Sequence, residues 1–265
     1  MVFTALKEPK YKYNQTIVKV YNGKIIKVIR MRCLRNAGVE TDEECIRGVN
    51  SEKLDFSISR TKQRIFGLAR CNDWDYFFTG TIDPQKYDRT DLEKYHKDFT
   101  QFLRDQNKKH GCKIKFLVVP ELHADGQSWH LHGFLAGLPE DQLHRFRYGV
   151  DKMSTALAVK VLNGDPVYNW TAYAAKFGFC DLEPIKNEEA ASKYVQKYIC
   201  KDLSRSVSEV GAHMYYRSRG LKEPTIEKIG VSSLQLTPDY ENEYVAIQEF
   251  PYTENNLKRI LDSFI

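Results

Sequence analysis

Two imidazoles and one carboxylate offer the most direct chemistry in this chain. They lie in Glu121-Leu122-His123-Ala124-Asp125-Gly126-Gln127-Ser128-Trp129-His130-Leu131-His132. Asp-Gly between strand-like runs is a strong hairpin signal, because a type I′ turn needs positive φ at both central residues. With Asp125-Gly126 as a two-residue turn, Ala124 faces Gln127. Counting outward then sets Glu121 opposite His130 and Val119 opposite His132. Directly paired residues share a face, as do residues two apart along a strand, so Glu121, His130 and His132 are expected to project together. That trio suits a divalent cation, Mn²⁺ or Mg²⁺, with positions left for water or a phosphate oxygen; zinc-favouring thiolates are missing from it. His123, opposite Ser128, falls on the same face and can support a ligand or replace one. Alternation alone produces His-x-His by chance, so the weight rests on the carboxylate that the register brings alongside. Pro120, opposite Leu131, cannot donate to a ladder and requires an edge, a non-bonded position or a bulge.

A second chemical group falls on one predicted helix. Asn187 can cap a helix from Glu188 to about Leu203. Ala191, Val195 and Ile199 form its apolar stripe, and Tyr194, Tyr198, Lys197 and Lys201 fall within an adjacent arc of about 100°. A phenol with a pKa near ~10 is a poor nucleophile at neutral pH, and neighbouring positive charge favours its phenolate. A lysine there also offsets charge building on a phosphate in transit. Taken alone, two tyrosines on a helix cover a core more often than they react; their co-occurrence with the histidine hairpin is what singles them out.

The elements that must position these groups follow from local pattern. Trp74 to Ile82 reads as a buried strand. Thr90-Asp91-Leu92-Glu93 is a capping box, followed by a helix to about Asn107 with Leu92, Tyr95, Phe99, Phe102 and Leu103 at helical spacing. Strands over Ile114 to Glu121 and Trp129 to Leu135 flank the turn. Residues 140 to 165 are expected to be helical and then loop, and Pro166 to Leu182 reads as a further hairpin whose aromatic residues serve the core better than base stacking. Ser57 to Leu68 suits a basic amphipathic helix, whose Arg60, Lys62 and Arg64 are either a solvated face or phosphate contacts. Gly211 to Leu221 reads as a closing strand and turn, in which Arg217 and Arg219 are likewise a structural pair or DNA contacts. Before this region, residues 1 to 56 hold a basic hairpin over Thr16 to Arg30 turning at Asn22-Gly23, then a loop from Asn36 to Asn50. After it, 222 to 265 form an amphipathic, more acidic extension of unreadable role. The expected division is therefore 1–56, 57–221 and 222–265.

Composition bounds the class. The chain has 265 residues and a formal net charge of +5, enough to bury a full core and too mildly basic to argue for nucleic acid by charge alone. No run of about 18 apolar residues spans a membrane, and the N-terminus lacks a signal-peptide pattern, so an intracellular, cytoplasmic location is expected. Six cysteines at 33, 45, 71, 112, 180 and 200 lack C-x-x-C spacing and are read as reduced thiols.

Three segments in order resemble the HUH endonucleases, and among them the rolling-circle replication initiators of phages and plasmids. Phe77-Phe78-Thr79-Gly80-Thr81-Ile82 is similar to their first motif, Trp129-His130-Leu131-His132-Gly133 to the His-hydrophobic-His metal motif, and Tyr194 to Lys201 to the tyrosine motif. The resemblance implies an α+β fold, a central antiparallel β-sheet flanked by helices, with the histidine strand near its middle. It implies metal ligation by Glu121, His130 and His132, attack by Tyr198 with Tyr194 as second nucleophile, and support from Lys197 and Lys201. The matching chemistry nicks single-stranded origin DNA, presented as a hairpin, keeps the 5′ phosphate on tyrosine, and frees a 3′ hydroxyl to prime synthesis. No G-x-x-x-x-G-K-[ST] occurs, so a separate helicase and a host polymerase in a bacterial cell are expected partners. A transposase or relaxase with the same chemistry, a metal hydrolase without a covalent intermediate, and a non-catalytic origin-binding protein are the alternatives.

Overall fold

Short alternating strands pair here into two antiparallel sheets, each with helices packed on it. The computed structural model describes residues 14–33, 51–123, 125–187 and 214–265, the side chains of 51–57 and 59 excepted. The chain divides into two compact units, one formed by 1–50 together with 222–265 and the other by 51–221. No helix among the described residues is long and apolar enough to cross a membrane.

The first unit joins the two ends of the chain. Strands β1 (Gln15–Tyr21) and β2 (Ile25–Met31) form the expected hairpin. Asn22 and Gly23 have φ of 49° and 67°, and Lys24 N donates to Tyr21 O at 3.0 Å. This turn uses the left-handed region that Asn-Gly tolerates. The extension after residue 222, unreadable by itself, supplies β10 (Thr225–Val231), β11 (Tyr240–Glu241), β12 (Val245–Pro251) and the helix α5 (Glu254–Asp262). The sheet order is β10-β1-β2-β12-β11, so hairpin and tail, kept apart in the sequence reading, are one unit. Ile260 of α5 is buried with Val18, Val20, Ile26 and Val28. Arg30 donates to the carbonyls of Ser232 and Leu234 at 3.2 and 2.7 Å and to Thr16 Oγ1 at 3.2 Å, and Lys27 pairs with Glu249 at 3.3 Å. Part of the basic hairpin's charge is therefore spent on holding the tail.

The second unit is a seven-stranded sheet between helices. In chain order its elements are α1 (Ser51–Cys71), β3 (Tyr76–Thr81), α2 (Leu92–His110), β4 (Lys115–Leu122), β5 (Trp129–Ala136), a 3₁₀ turn (Glu140–Gln142), β6 (Leu143–Arg145), α3 (Thr155–Leu162), β7 (Tyr168–Trp170), α4 (Thr171–Lys176), β8 (Cys180–Pro184) and β9 (Tyr216–Arg217). The strand order is β6-β7-β8-β3-β5-β4-β9, with antiparallel pairs throughout. This is the α+β class expected, with the histidine strand inside the sheet.

Several elements differ from the sequence reading. Helix α1 starts at Ser51 rather than Ser57. The cap of α2 is Asp91, whose side chain accepts from Lys94 N at 2.9 Å, not Thr90, whose amide and hydroxyl both donate to Asp88. Asp shifts the start by one residue because its carboxylate accepts as well as a threonine hydroxyl does. Residues 140–165 contain a strand, β6, that three residues of local pattern do not reveal. The expected hairpin over 166–182 instead carries α4 between β7 and β8.

Both faces of the sheet are covered, which explains the unbroken apolar run Phe116 to Val119. On one face, α2 and α4 bury Tyr95, Phe99, Phe102, Tyr173 and Phe177 against Phe78, Phe116 and Leu131. On the other, α1 buries Ile58, Ile65 and Leu68 against Phe77, Leu117 and Phe134. Gly133 lets β4 and β5 approach, since a Cβ there would run into the Leu117 carbonyl and lie 2.7 Å from Val118 Cα. The obstacle is backbone of the paired strand, so it cannot swing aside. Gly133→Ala is expected to lower stability by about 1–3 kcal/mol, the usual cost of overpacking, read as a lower urea midpoint at unchanged slope.

Candidate metal centre

The hairpin register is the one counted from Asp125-Gly126: Glu121 pairs with His130, Val119 with His132, and Pro120 with Leu131. The turn itself is different. Among the described non-glycine residues only Asn14 and Asn22 have positive φ, so Asp125 does not adopt the type I′ conformation. His123 N donates to Ser128 O at 2.7 Å and Gly126 N to His123 O at 2.9 Å, which closes the loop over residues 124–127. Opening a two-residue turn by one residue on each side leaves the sum of paired numbers unchanged, so the register survives. Asp125 Oδ1 accepts from the amides of Gln127 and Ser128, and Oδ2 from the Ser128 hydroxyl at 2.5 Å. These bonds, led by the Ser128 hydroxyl, hold its carboxyl well below the usual carboxylate range. Pro120 has the edge it needs: β9 pairs only with Leu117 and Val118, so among the described residues the outer side of β4 is unladdered at Pro120.

Glu121, His130 and His132 come together on one face, the face that α1 covers farther along. Glu121 Oε2 lies 2.6 Å from His132 Nε2. The rings of His130 and His132 are 6.1 Å apart and parallel within 6°, and the His123 ring stands 4.0 Å from that of His130. Strand β3 continues the same face beside β5. Thr79 pairs with His132 and Thr81 with His130, and their hydroxyls lie 3.2 and 3.3 Å from the respective Nδ1 atoms. With each Nδ1 facing β3, the Nε2 of each ring points away from it, as in histidines that present Nε2 to a metal. The donor types therefore fit a hard-to-borderline divalent ion, although among the described residues no three His, Cys, Asp or Glu groups close into a finished cage.

These side chains line a cleft of ≈ 970 Å³. Its other walls come from residues the sequence reading did not select: Asp83 and Lys86 after β3, Lys152 and Lys160 around α3, and Asp181 and Glu183 of β8. Lys160 Nζ is 2.7 Å from Glu183 Oε1. Asp181 pairs with Thr79 and so shares the row that runs through Thr79 to His132. Its signal in the sequence was only alternation along Cys180–Pro184; what makes it part of the site is that β8 lies next to β3. Four carboxylates (Asp83, Glu121, Asp181, Glu183) face three ammonium groups (Lys86, Lys152, Lys160) here. Without an added cation this cleft is a poor trap for phosphate.

The other expected site residues fall elsewhere. Arg60 and Arg64 are exposed and Lys62 half-buried on α1. Arg217 pairs with Leu117 at the far side of β4, and Arg219 is exposed. None of the five lines the cleft. Tyr194, Tyr198, Lys197 and Lys201 lie outside the described residues. Of the aromatic residues in 166–182, Trp170, Tyr173 and Phe177 are core, as their packing value implied.

Residues 75–203 match the family model of the replication-associated protein ORF2. The match supports a replication-initiator role. The chain matches no curated protein and no solved structure.

Burial sets two titrations against each other in this cleft. Burial first, then the neighbouring His123 and His132, pushes His130 down from 6.5 to about 4. Unfolded chains take up that proton first, so His130 makes the fold lose stability as pH falls from 6.5 towards 4. Burial, then Glu183, pushes Asp181 up from 3.8 to about 6. Here the folded state takes up the proton first, so the fold gains stability as pH falls through 6 towards 3.8. Measured by urea denaturation in EDTA, His130→Gln is expected to lose less stability than wild type on acidification through this window, and Asp181→Asn to lose more.

Proposed function

Because residues 75–203 match the replication-associated protein family, we propose that this chain initiates rolling-circle replication by cutting one strand of origin DNA with a tyrosine nucleophile and a divalent cation. The observation that carries the proposal is the convergence of Glu121, His130 and His132 on one sheet face inside the cleft. Those three residues would hold Mn²⁺ or Mg²⁺, which supplies Lewis-acid polarisation of the scissile phosphate. The excess of carboxylate over ammonium in the cleft gives that charge a physical reason. His130, neutral at physiological pH, keeps its lone pair for ligation without competing for a proton.

In this reading Tyr198 attacks the phosphorus, its phenolic proton is lost, and the displaced 3′ oxygen gains one. The 5′ phosphate stays on tyrosine, so a later attack by the 3′ hydroxyl of a new end rejoins the strand without ATP. Tyr194 serves as the second nucleophile, and Lys197 and Lys201 offset charge on the phosphate during transfer. Arg60, Lys62, Arg64, Arg217 and Arg219, outside the cleft, contact DNA phosphates that orient the strand. The substrate is single-stranded origin DNA folded as a hairpin, opened ahead by a separate helicase and copied by a host polymerase.

The test is incubation with end-labelled single-stranded origin fragments and Mn²⁺, followed by a denaturing gel. A protein–DNA adduct is expected, lost in EDTA and in the Tyr194→Phe/Tyr198→Phe double variant, with the single variants ranking the two nucleophiles. Metal-independent binding without any adduct would overturn the enzymatic reading and leave an origin-binding protein. Cleavage that survives the double variant would point to a metal hydrolase.

A further inference from the structure

The two hydroxyls behind the histidines have no role in the chemistry above. Thr79 and Thr81 sit on β3, an inner strand paired on one side with β5 and on the other with β8. Valine would serve a strand there as well as threonine does, so the strand itself does not require a hydroxyl. What the hydroxyls meet is Nδ1 of His132 and Nδ1 of His130, at 3.2 and 3.3 Å.

A neutral imidazole has one N–H and one acceptor nitrogen, and the bond made at one nitrogen decides what the other can do. At His132 the two ends make different demands. With Nε2 2.6 Å from the Glu121 carboxylate, the ring proton lies on Nε2 and donates to Glu121. Nδ1 is then an acceptor, and the Thr79 hydroxyl must donate to it. To offer the Nε2 lone pair to an ion, His132 must instead carry its proton on Nδ1, which then donates to Thr79 Oγ1. A carbonyl or carboxylate behind the ring accepts only and would hold one of these two forms. A hydroxyl rotates and serves both.

We propose that Thr79 and Thr81 are positioning residues of the candidate metal centre. Thr81 accepts from Nδ1–H of His130 and keeps its Nε2 lone pair directed away from β3; the Thr79 hydroxyl turns from donor to acceptor as His132 exchanges Glu121 for an ion. The exchange balances: one proton leaves Nε2 for solvent, one returns from solvent to Nδ1, and Glu121 stays ionised. The inference rests on the metal reading made above.

The experiment uses the full chain labelled with ¹⁵N. Long-range ¹H–¹⁵N correlations of the histidine rings report the tautomers in EDTA and in Mg²⁺, and the electron paramagnetic resonance signal of free Mn²⁺ reports affinity without any DNA. Expected are Nε2–H at His132 in EDTA, Nδ1–H at His132 in Mg²⁺, and Nδ1–H at His130 in both. Thr79→Val and Thr81→Val are expected to bind Mn²⁺ about 10- to 100-fold more weakly, while Thr79→Ser and Thr81→Ser, which keep the hydroxyl, bind close to wild type. Valine variants that bind as tightly as wild type, serine variants as weak as valine, or a His132 tautomer unchanged by Mg²⁺ would overturn the inference. Should a valine variant not fold, the wild-type tautomers decide it. Wild type that takes up no Mn²⁺ overturns the metal reading itself, and the inference with it.

Discussion

The β4–β5 pairing register is the constraint on which the site depends. A shift of one residue would turn either strand's alternation over and send Glu121 or both histidines to the opposite face. Three features hold it. The backbones approach closely at Gly133, where Leu117 and Val118 leave no room for a Cβ. The loop end is closed by His123 and Ser128 and braced by three hydrogen bonds to Asp125. The outer flank of β5 is occupied by β3 over its whole length. With both neighbours in place the histidine strand has no freedom to slide.

The opposite face supplies the rigidity behind this arrangement. Tyr95, Phe99, Phe102, Tyr173 and Phe177 form a nearly continuous set of edge-on and tilted ring contacts against β3 and β4. Tyr95 and Tyr173, both fully buried, satisfy each other through a hydroxyl–hydroxyl bond of 2.5 Å, so this core carries polar tips without leaving them unpaired. Gly80 lies on that face, where a Cβ would strike the Phe78 ring and the Tyr173 hydroxyl. Between Thr79 and Thr81, a glycine thus lets the core close up directly beneath the two residues that back the histidines.

Electrostatically the cleft is built from groups pushed away from their ordinary titration. His130 is kept neutral by burial and by two neighbouring imidazoles, Asp181 is raised by burial, and Asp125 is held ionised by the hydrogen bonds of its turn. Such shifts gather where a fold keeps charge out of water without fully pairing it. The lysines do not reverse the balance, since Lys160 is bound to Glu183 and Lys86 donates to the Ala174 carbonyl at 2.8 Å. A cation is the complement this cleft lacks, and it is the component that phosphoryl transfer at a tyrosine would also need.

Much of this was legible in the chain itself. Alternation over 115–122 and 129–136, centred on Asp125-Gly126, determined that Glu121, His130 and His132 share a face, because side-chain direction in a strand depends only on parity and the change of turn type preserved it. Asn22-Gly23 determined its hairpin for the same local reason, and helical spacing from Leu92 to Leu103 exposed α2. What only the tertiary structure decided is which strands stand next to one another. Nothing in local periodicity states that β3 lies beside β5, that β8 lies beside β3, or that the tail after residue 222 pairs with the N-terminal hairpin. Those contacts join residues tens to hundreds apart, and they are selected by burial of whole faces rather than by any single segment. Thr79, Thr81 and Asp181 therefore became part of the site only when the sheet assembled, whereas the histidines and Glu121 carried their arrangement in the sequence.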